Sequence, residues 1–292
     1  MKISEIATYL NRPFTGSDIE IKGFSSLSNL VEGTVVFAKK YTKEYVEILK
    51  NTQNVLAIVC AGYENITTPH IVSPNPRLDF MRVVGTFFAE KDIPAGINST
   101  AYIEEGAIIG QNVSIGAHCH IGSKVKIGDN TIILPNCSIY GKVTIGSDCY
   151  IKPGVVIGGP GFGFENDENG VPVHFPHTGE VVIGNHVYIG ANATIDRATI
   201  DATIVEDNVK IDNLVHVAHN CKIHANTLVT AGAIFSGGVE VGKQSWIAPN
   251  CSIHQQTRIG EHCTVGMGSV VLKNVKDGRT VFGNPAMKVE QS

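Results

Sequence analysis

From Ile103 to Ile133 the sequence reads IEEGAIIGQNVSIGAHCHIGSKVKIGDNTII, with an aliphatic residue returning at every sixth position. Working outward, the series holds from Ile103 through Ile109, Ile115, Ile121, Ile127, Ile133, Ile139, Ile145 and Ile151 to Ile157. It is interrupted, resumes at Ile183, Ile189 and Ile195, and runs from Val205 to Val271. A period of six suits neither an amphipathic helix nor a long strand; it fits a parallel β-helix of hexapeptide repeats. Each hexapeptide supplies a short strand and a corner, and three make a coil of 18 residues. Gly commonly follows the aliphatic position, as at Gly116, Gly128, Gly146 and Gly260. Three residues after it stand Asn112, Asn130, Asn136, Asn192, Asn208, Asn220, Asn226 and Asn250. Asn is the side chain that best accepts positive φ, so these are expected corners. Cys119, Cys137, Cys149, Cys221, Cys251 and Cys263 sit two residues before the aliphatic position, and that register places them in the core, not around a metal.

The chain has 292 residues, longer than the usual single domain, but a solenoid grows without a single central core. Its formal net charge of -4 gives no basic footprint for nucleic acid. The start MKISEIATYLN lacks the apolar core of a signal peptide, and no apolar run reaches the ~20 residues of a membrane span. With seven cysteines, this reading expects a reducing cytoplasm.

Residues 1–99 lack the period and read as a small α/β domain. Helices are expected at 4–10, 43–50 and 78–90, and strands at 18–24, 35–38, 55–60 and 70–72, with a junction at 94–99. Residues 100–273 form the β-helix domain, including a loop at 158–182, and 274–292 a short C-terminal cap. A β-helix needs covered ends, which both flanking segments can provide.

The repeat breaks in two informative places. Gly158-Gly159-Pro160-Gly161-Phe162-Gly163-Phe164 opens the interrupting loop, either a tolerated surface insertion or a binding element. Val215-His216-Val217-Ala218-His219-Asn220 lacks the usual Gly and puts His219 outward at a corner. His186, His224, His254 and His262 are further outward histidines, and a solvated surface His is the ordinary outcome for any of them.

The segments GFGF (161–164), IDRATIDATIV (195–205), IDNLVHVAHN (211–220) and VGMG (265–268) resemble those of the UDP-3-O-acylglucosamine N-acyltransferases of lipid A synthesis. The resemblance covers residues 1–270 and includes the order of domains. It implies a left-handed coil, whereas chirality arguments alone favour a right-handed one. It also implies a homotrimer with active sites between neighbouring β-helices. The expected reaction moves an acyl group, a 3-hydroxyacyl group in this family, from a thioester to the amine of a nucleotide-linked sugar, with no further cofactor and no metal. His219 then becomes the general base, because an imidazole suits proton removal near neutral pH. Gly237, 18 residues on, matches the family's backbone donor to the oxyanion. Asp212 is either the acid that orients the imidazole or a plain corner residue.

Several positions depart from the family. Its second histidine aligns with Gln256, with His254 two residues before it. Its uracil-binding aromatic, Asn and Tyr correspond to Phe37, Lys40 and, after a register shift, Tyr41 or Tyr45. Pro160 stands where Asp is usual. Phe162 and Phe164 are expected to contact substrate, and Trp246 to line a groove or a subunit interface. Few residues follow the last repeat, and the ending VFGNPAMKV resembles coenzyme A-dependent sugar acetyltransferases. Either acyl carrier protein or coenzyme A can therefore carry the thioester, and a UDP- or dTDP-amino sugar for surface polysaccharide is the alternative acceptor. Two other classes stand beside this reading: a trimeric zinc carbonic anhydrase using His186, His219 and His224, and a purely structural solenoid. The first leaves the N-terminal domain and the loop unexplained, and the second gives no reason to interrupt the stacking.

Overall fold

The structure, a computed structural model, describes residues 1–63, 66–89 and 96–288. The chain divides into two units, Met1–Asp92 and Ile93–Ser292.

In the first unit, Gly23–Phe24, Thr34–Ala38, Val55–Val59 and His70–Val72 form a parallel sheet in that order. Helices Ile3–Leu10, Lys43–Lys50 and Pro76–Phe87 accompany it. The expected strand at 18–24 shortens to its last two residues. Ahead of them the chain turns to the N-terminus instead: Ile21 N–H donates to Met1 O, and Ile3 N–H to Ile19 O. The third helix starts earlier than expected because Pro76 needs no N–H donor there and the Asn75 side chain accepts from Leu78 N–H at 3.2 Å. The expected helix end at Glu90 and the junction residues Pro94 and Ala95 lie outside the described residues.

The second unit is a parallel β-helix. Among the described residues its three faces carry ten, nine and eight strands. Ile115, Ile133 and Ile151 stack in register on the ten-stranded face; Ile195, Val217, Phe235 and Ile253 do so on the nine-stranded one. The coil begins earlier than residue 100, since Ile97 already bridges to Ile115 and Asn98 N–H donates to Ile115 O. All eight predicted corner asparagines have φ between 54° and 64°. The six periodic cysteines are buried and unpaired. Where Thr131, Thr227 or Ser245 takes the cysteine position, its hydroxyl donates to a backbone carbonyl of the next coil, so the core stays satisfied.

Two insertions disturb the stacking. The first prolongs a strand to Val156–Pro160 and then leaves the coil as a hairpin, Phe164–Asn166 against Pro172–His174. The second is shorter: Ile195 and Val205 are ten residues apart instead of six. Its extra corner meets the returning hairpin, where Thr178 N–H donates to Thr199 O and Gly179 N–H to Ala198 O. Together the insertions wall in the corner that holds His219.

Candidate active site

His219 stands two residues after Val217, half-buried at the corner beyond the nine-stranded face. Its Nδ1 lies 2.9 Å from Asn220 Oδ1. That oxygen also accepts from Thr199 N–H at 3.2 Å and Thr199 Oγ1 at 3.0 Å. A backbone N–H can only donate, so the Asn220 atom is the carbonyl oxygen and His219 Nδ1 must carry the proton. The neutral imidazole therefore keeps its lone pair on Nε2. Asn220 holds this orientation from a left-handed corner, with φ 62°.

Gly237 lies one coil further on. Gly238 N–H donates to His219 O and Gln256 N–H to Gly237 O, both at 2.9 Å, so three successive corners stack. A Cβ added to Gly237 would meet His219 Cε1 at 2.6 Å and Nε2 at 2.8 Å. Only glycine lets the backbone approach the imidazole this closely, and the Gly237 N–H makes no hydrogen bond among the described residues. A base and a free N–H donor are thus side by side, the minimum an acyl transfer between nucleophile and thioester requires.

Asp212 does not reach this imidazole. It follows Ile211 on the ten-stranded face, a corner away, and its carboxylate accepts from Asn213 N–H at 2.7 Å. The carboxylate near the imidazoles is Asp196, whose Oδ2 is 3.9 Å from His216 Nε2; His216 Nδ1 is in turn 2.7 Å from Thr194 Oγ1. Burial pushes the Asp196 carboxyl above its ordinary pKa, while the charges of His216 and His219 oppose the rise. His177, on the returning hairpin, packs edge-on against His219 with ring centroids 5.0 Å apart. The sequence reading nominated neither Asp196 nor His177; the only signal was the ten-residue step from Ile195 to Val205.

The other nominated residues are spread out. Phe162 is 86% exposed and packs on Phe164 at 4.9 Å, at the hairpin's apolar edge. His254 and Gln256 are exposed; His254 Nδ1 contacts Gln255 O, and Gln256 occupies a left-handed corner, φ 57°. In the first unit, Phe37 and Tyr45 line one cleft of about 470 Å³ together with Lys40, Ser25, Ser28 and Thr42. Tyr41 instead packs on Tyr63, with ring centroids 5.2 Å apart. Trp246 is 46% exposed on the ten-stranded face. Both ring nitrogens of His224 are taken, by Glu206 and Glu240 at 2.9 Å each. No group of three or more metal-binding side chains occurs among the described residues.

Residues 124–159, 202–237 and 238–273 match the bacterial transferase hexapeptide family (six repeats), and 106–140 and 180–213 match the hexapeptide repeat of succinyl-transferase. A UDP-3-O-acylglucosamine N-acyltransferase of Campylobacter jejuni (strain RM1221) is 38% identical over 304 residues, covering 98% of this chain and 93% of its own length. That of Methylobacillus flagellatus is 36% identical, covering 95% and 84%. The chain belongs to the UDP-3-O-acylglucosamine N-acyltransferase family. It is an acyltransferase, and its solenoid is the left-handed parallel β-helix of hexapeptide repeats. Among solved structures, the UDP-N-acetylglucosamine acyltransferase from Campylobacter jejuni aligns with a TM-score of 0.59 at 27% identity, covering 66% of this chain and 73% of that one. The Francisella novicida UDP-N-acetylglucosamine acyltransferase gives 0.60 at 29%, covering 66% and 68%. In this chain His219, Asn220 and Gly237 are packed together, while Asp212 lies a corner away.

Proposed function

We propose that this chain transfers a 3-hydroxyacyl group from a thioester to the 2-amine of UDP-3-O-acylglucosamine, the N-acylation step of lipid A biosynthesis. The observation that carries the reading is the locked His219 tautomer, its Nε2 lone pair set against Gly237, whose N–H makes no hydrogen bond among the described residues. The amine nitrogen attacks the thioester carbonyl as Nε2 takes its proton. The carbonyl oxygen becomes an oxyanion and accepts a hydrogen bond from Gly237 N–H. Collapse breaks the carbon–sulfur bond, and the imidazolium returns the proton to the departing thiolate.

The nucleotide base occupies the Phe37–Tyr45 cleft, where aromatic faces suit stacking and Lys40 replaces an uncharged donor. Phe162 and Phe164 meet the acyl portion, and His254 and Gln256 contact the sugar from the same corner as His219. A homotrimer belongs to this reading. Leu228 and Trp246, paired on the ten-stranded face, are 47% and 46% exposed, Leu214 at a corner is 64% exposed, and a neighbouring β-helix would bury them. The same arrangement gives Asp212 a role, since a residue one corner away can serve only a neighbouring subunit's site. Seven free thiols fit the reducing cytoplasm in which acyl thioesters are made.

Acyl carrier protein is the donor expected first. Purified protein incubated with UDP-3-O-acylglucosamine and either hydroxyacyl carrier protein or hydroxyacyl coenzyme A, followed by mass spectrometry, is expected to yield the amide fastest from the carrier protein. Turnover confined to a dTDP-amino sugar with a coenzyme A thioester would overturn the assignment.

A further inference from the structure

Two buried side-chain polar atoms among the described residues lack a hydrogen-bond partner: His177 Nε2 and Arg197 Nε. Buried polar groups are almost always paired, so an orphan beside an active site asks for a reason. His177 is only 6% exposed. Its Nδ1 lies 2.8 Å from Phe175 O, and a carbonyl can only accept, so Nδ1 carries the proton and Nε2 holds a lone pair. Burial lowers the His177 pKa; the Phe175 carbonyl opposes this, and the neighbouring His219, His174 and Arg197 add to the lowering.

The position of that lone pair follows from Gly161. A Cβ on Gly161 would fall 2.8 Å from His177 Nε2 and 2.8 Å from His219 Cδ2. Both atoms therefore border the same gap, which exists because residue 161 has no side chain. The two rings cross at 69°, an edge-on contact. Gly237 approaches the opposite, Cε1–Nε2 side of His219, so the imidazole is held between a glycine of the hairpin and a glycine of the next coil.

We propose that His177 is a positioning residue for His219: its buried lone pair faces the imidazole flank and stabilises the positive charge that His219 acquires when it takes the amine proton. The ring C–H groups become more positive on protonation, and a fixed lone pair in a dry setting is worth more to the cation than to the neutral ring. Asp196, 3.9 Å from His216 Nε2 and within electrostatic reach of His219, adds a carboxyl group to the same cluster. The hairpin is thus part of the catalytic apparatus in addition to any contact it makes with substrate. The inference rests on His219 being the base.

The test uses the full-length protein with His177→Phe, which keeps a flat ring but removes the lone pair, and His177→Gln, which restores an acceptor. Turnover of UDP-3-O-acylglucosamine and a histidine NMR titration are measured on each, with the His219 signal identified by its loss in His219→Ala. His177→Phe is expected to lower kcat roughly 10-fold with KM little changed, to move the acid limb of the pH–rate profile to lower pH, and to shift the His219 titration midpoint down by about one unit, the same factor of ten. His177→Gln is expected to recover most of each change. Unaltered kcat and an unaltered His219 midpoint in a folded His177→Phe protein would overturn the proposal, as would a loss seen only in KM. The NMR titration needs no substrate, so a failure of the proposed reaction itself would show separately, as absent wild-type turnover.

Discussion

His219→Ala removes the imidazole whose free Nε2 lies against Gly237, and turnover is expected to fall about 10²–10⁴-fold with folding unchanged, as read by amide formation and circular dichroism. Gly237→Ala tests the other half of the pair. Its methyl would lie within 2.6–2.8 Å of the imidazole, so the ring must swing away and turnover should drop at least tenfold while the β-helix melts near its usual temperature. At this scale the sequence was partly legible. His219 and Gly237 could be paired because 18 residues is one coil, and a coil converts sequence distance into one strand spacing of ~4.8 Å. Asp212 stayed open between orienting the imidazole and a plain corner acid, because seven residues in a hexapeptide coil carry the chain past a corner to another face of the same subunit. His177 and Asp196 were illegible for the complementary reason. His177 reaches His219 because a hairpin folds back onto a four-residue insertion, which no period encodes; Asp196 follows Ile195, which stacks on Val217 across a step lengthened by that insertion.

At the scale of the element, the corner explains why the repeat was so readable. Each coil needs residues at positive φ, and Asn fills that place at all eight positions expected from the sequence. Other side chains tolerate it at a cost: Gln244 has φ 55° at a surface corner away from the site. Gln244→Asn is therefore expected to stabilise the protein by about 0.5–1 kcal/mol, seen as a higher midpoint in denaturant unfolding. An unchanged or lower midpoint would mean the corners are not under conformational selection. The N-terminal elements were less legible because their bounds are set by local bonds. The Asn75 cap and Pro76 start one helix early, and the pairing of residues 19–21 with the N-terminus shortens a strand.

For the whole molecule, the stacking of coils also aligns charge. On the eight-stranded face, Glu206, His224 and Glu240 span three coils, with His224 bonded to both carboxylates. Burial would lower the His224 pKa, but the hydrogen bonds and charges of Glu240 and Glu206 outweigh it and raise it. A raised folded-state pKa means the contribution is fully present below the unfolded value of about 6.5 and is lost as pH rises through the folded one. Thermal stability is expected to decline as pH rises above about 6.5, and His224→Gln to flatten that decline; an equal slope in both proteins would refute the clamp.

The central claim is that this β-helix acylates an amine. Its sequence relatives are N-acyltransferases, while the solved structures it resembles act, by their names, on UDP-N-acetylglucosamine, whose 2-nitrogen is already acylated. The most direct measurement offers the protein UDP-3-O-acylglucosamine and UDP-N-acetylglucosamine together, with one hydroxyacyl carrier protein, and reads the products by mass spectrometry. Hydroxylamine- and mild-base-stable acylation of the free-amine acceptor is the predicted result; ester formation on UDP-N-acetylglucosamine alone would contradict it.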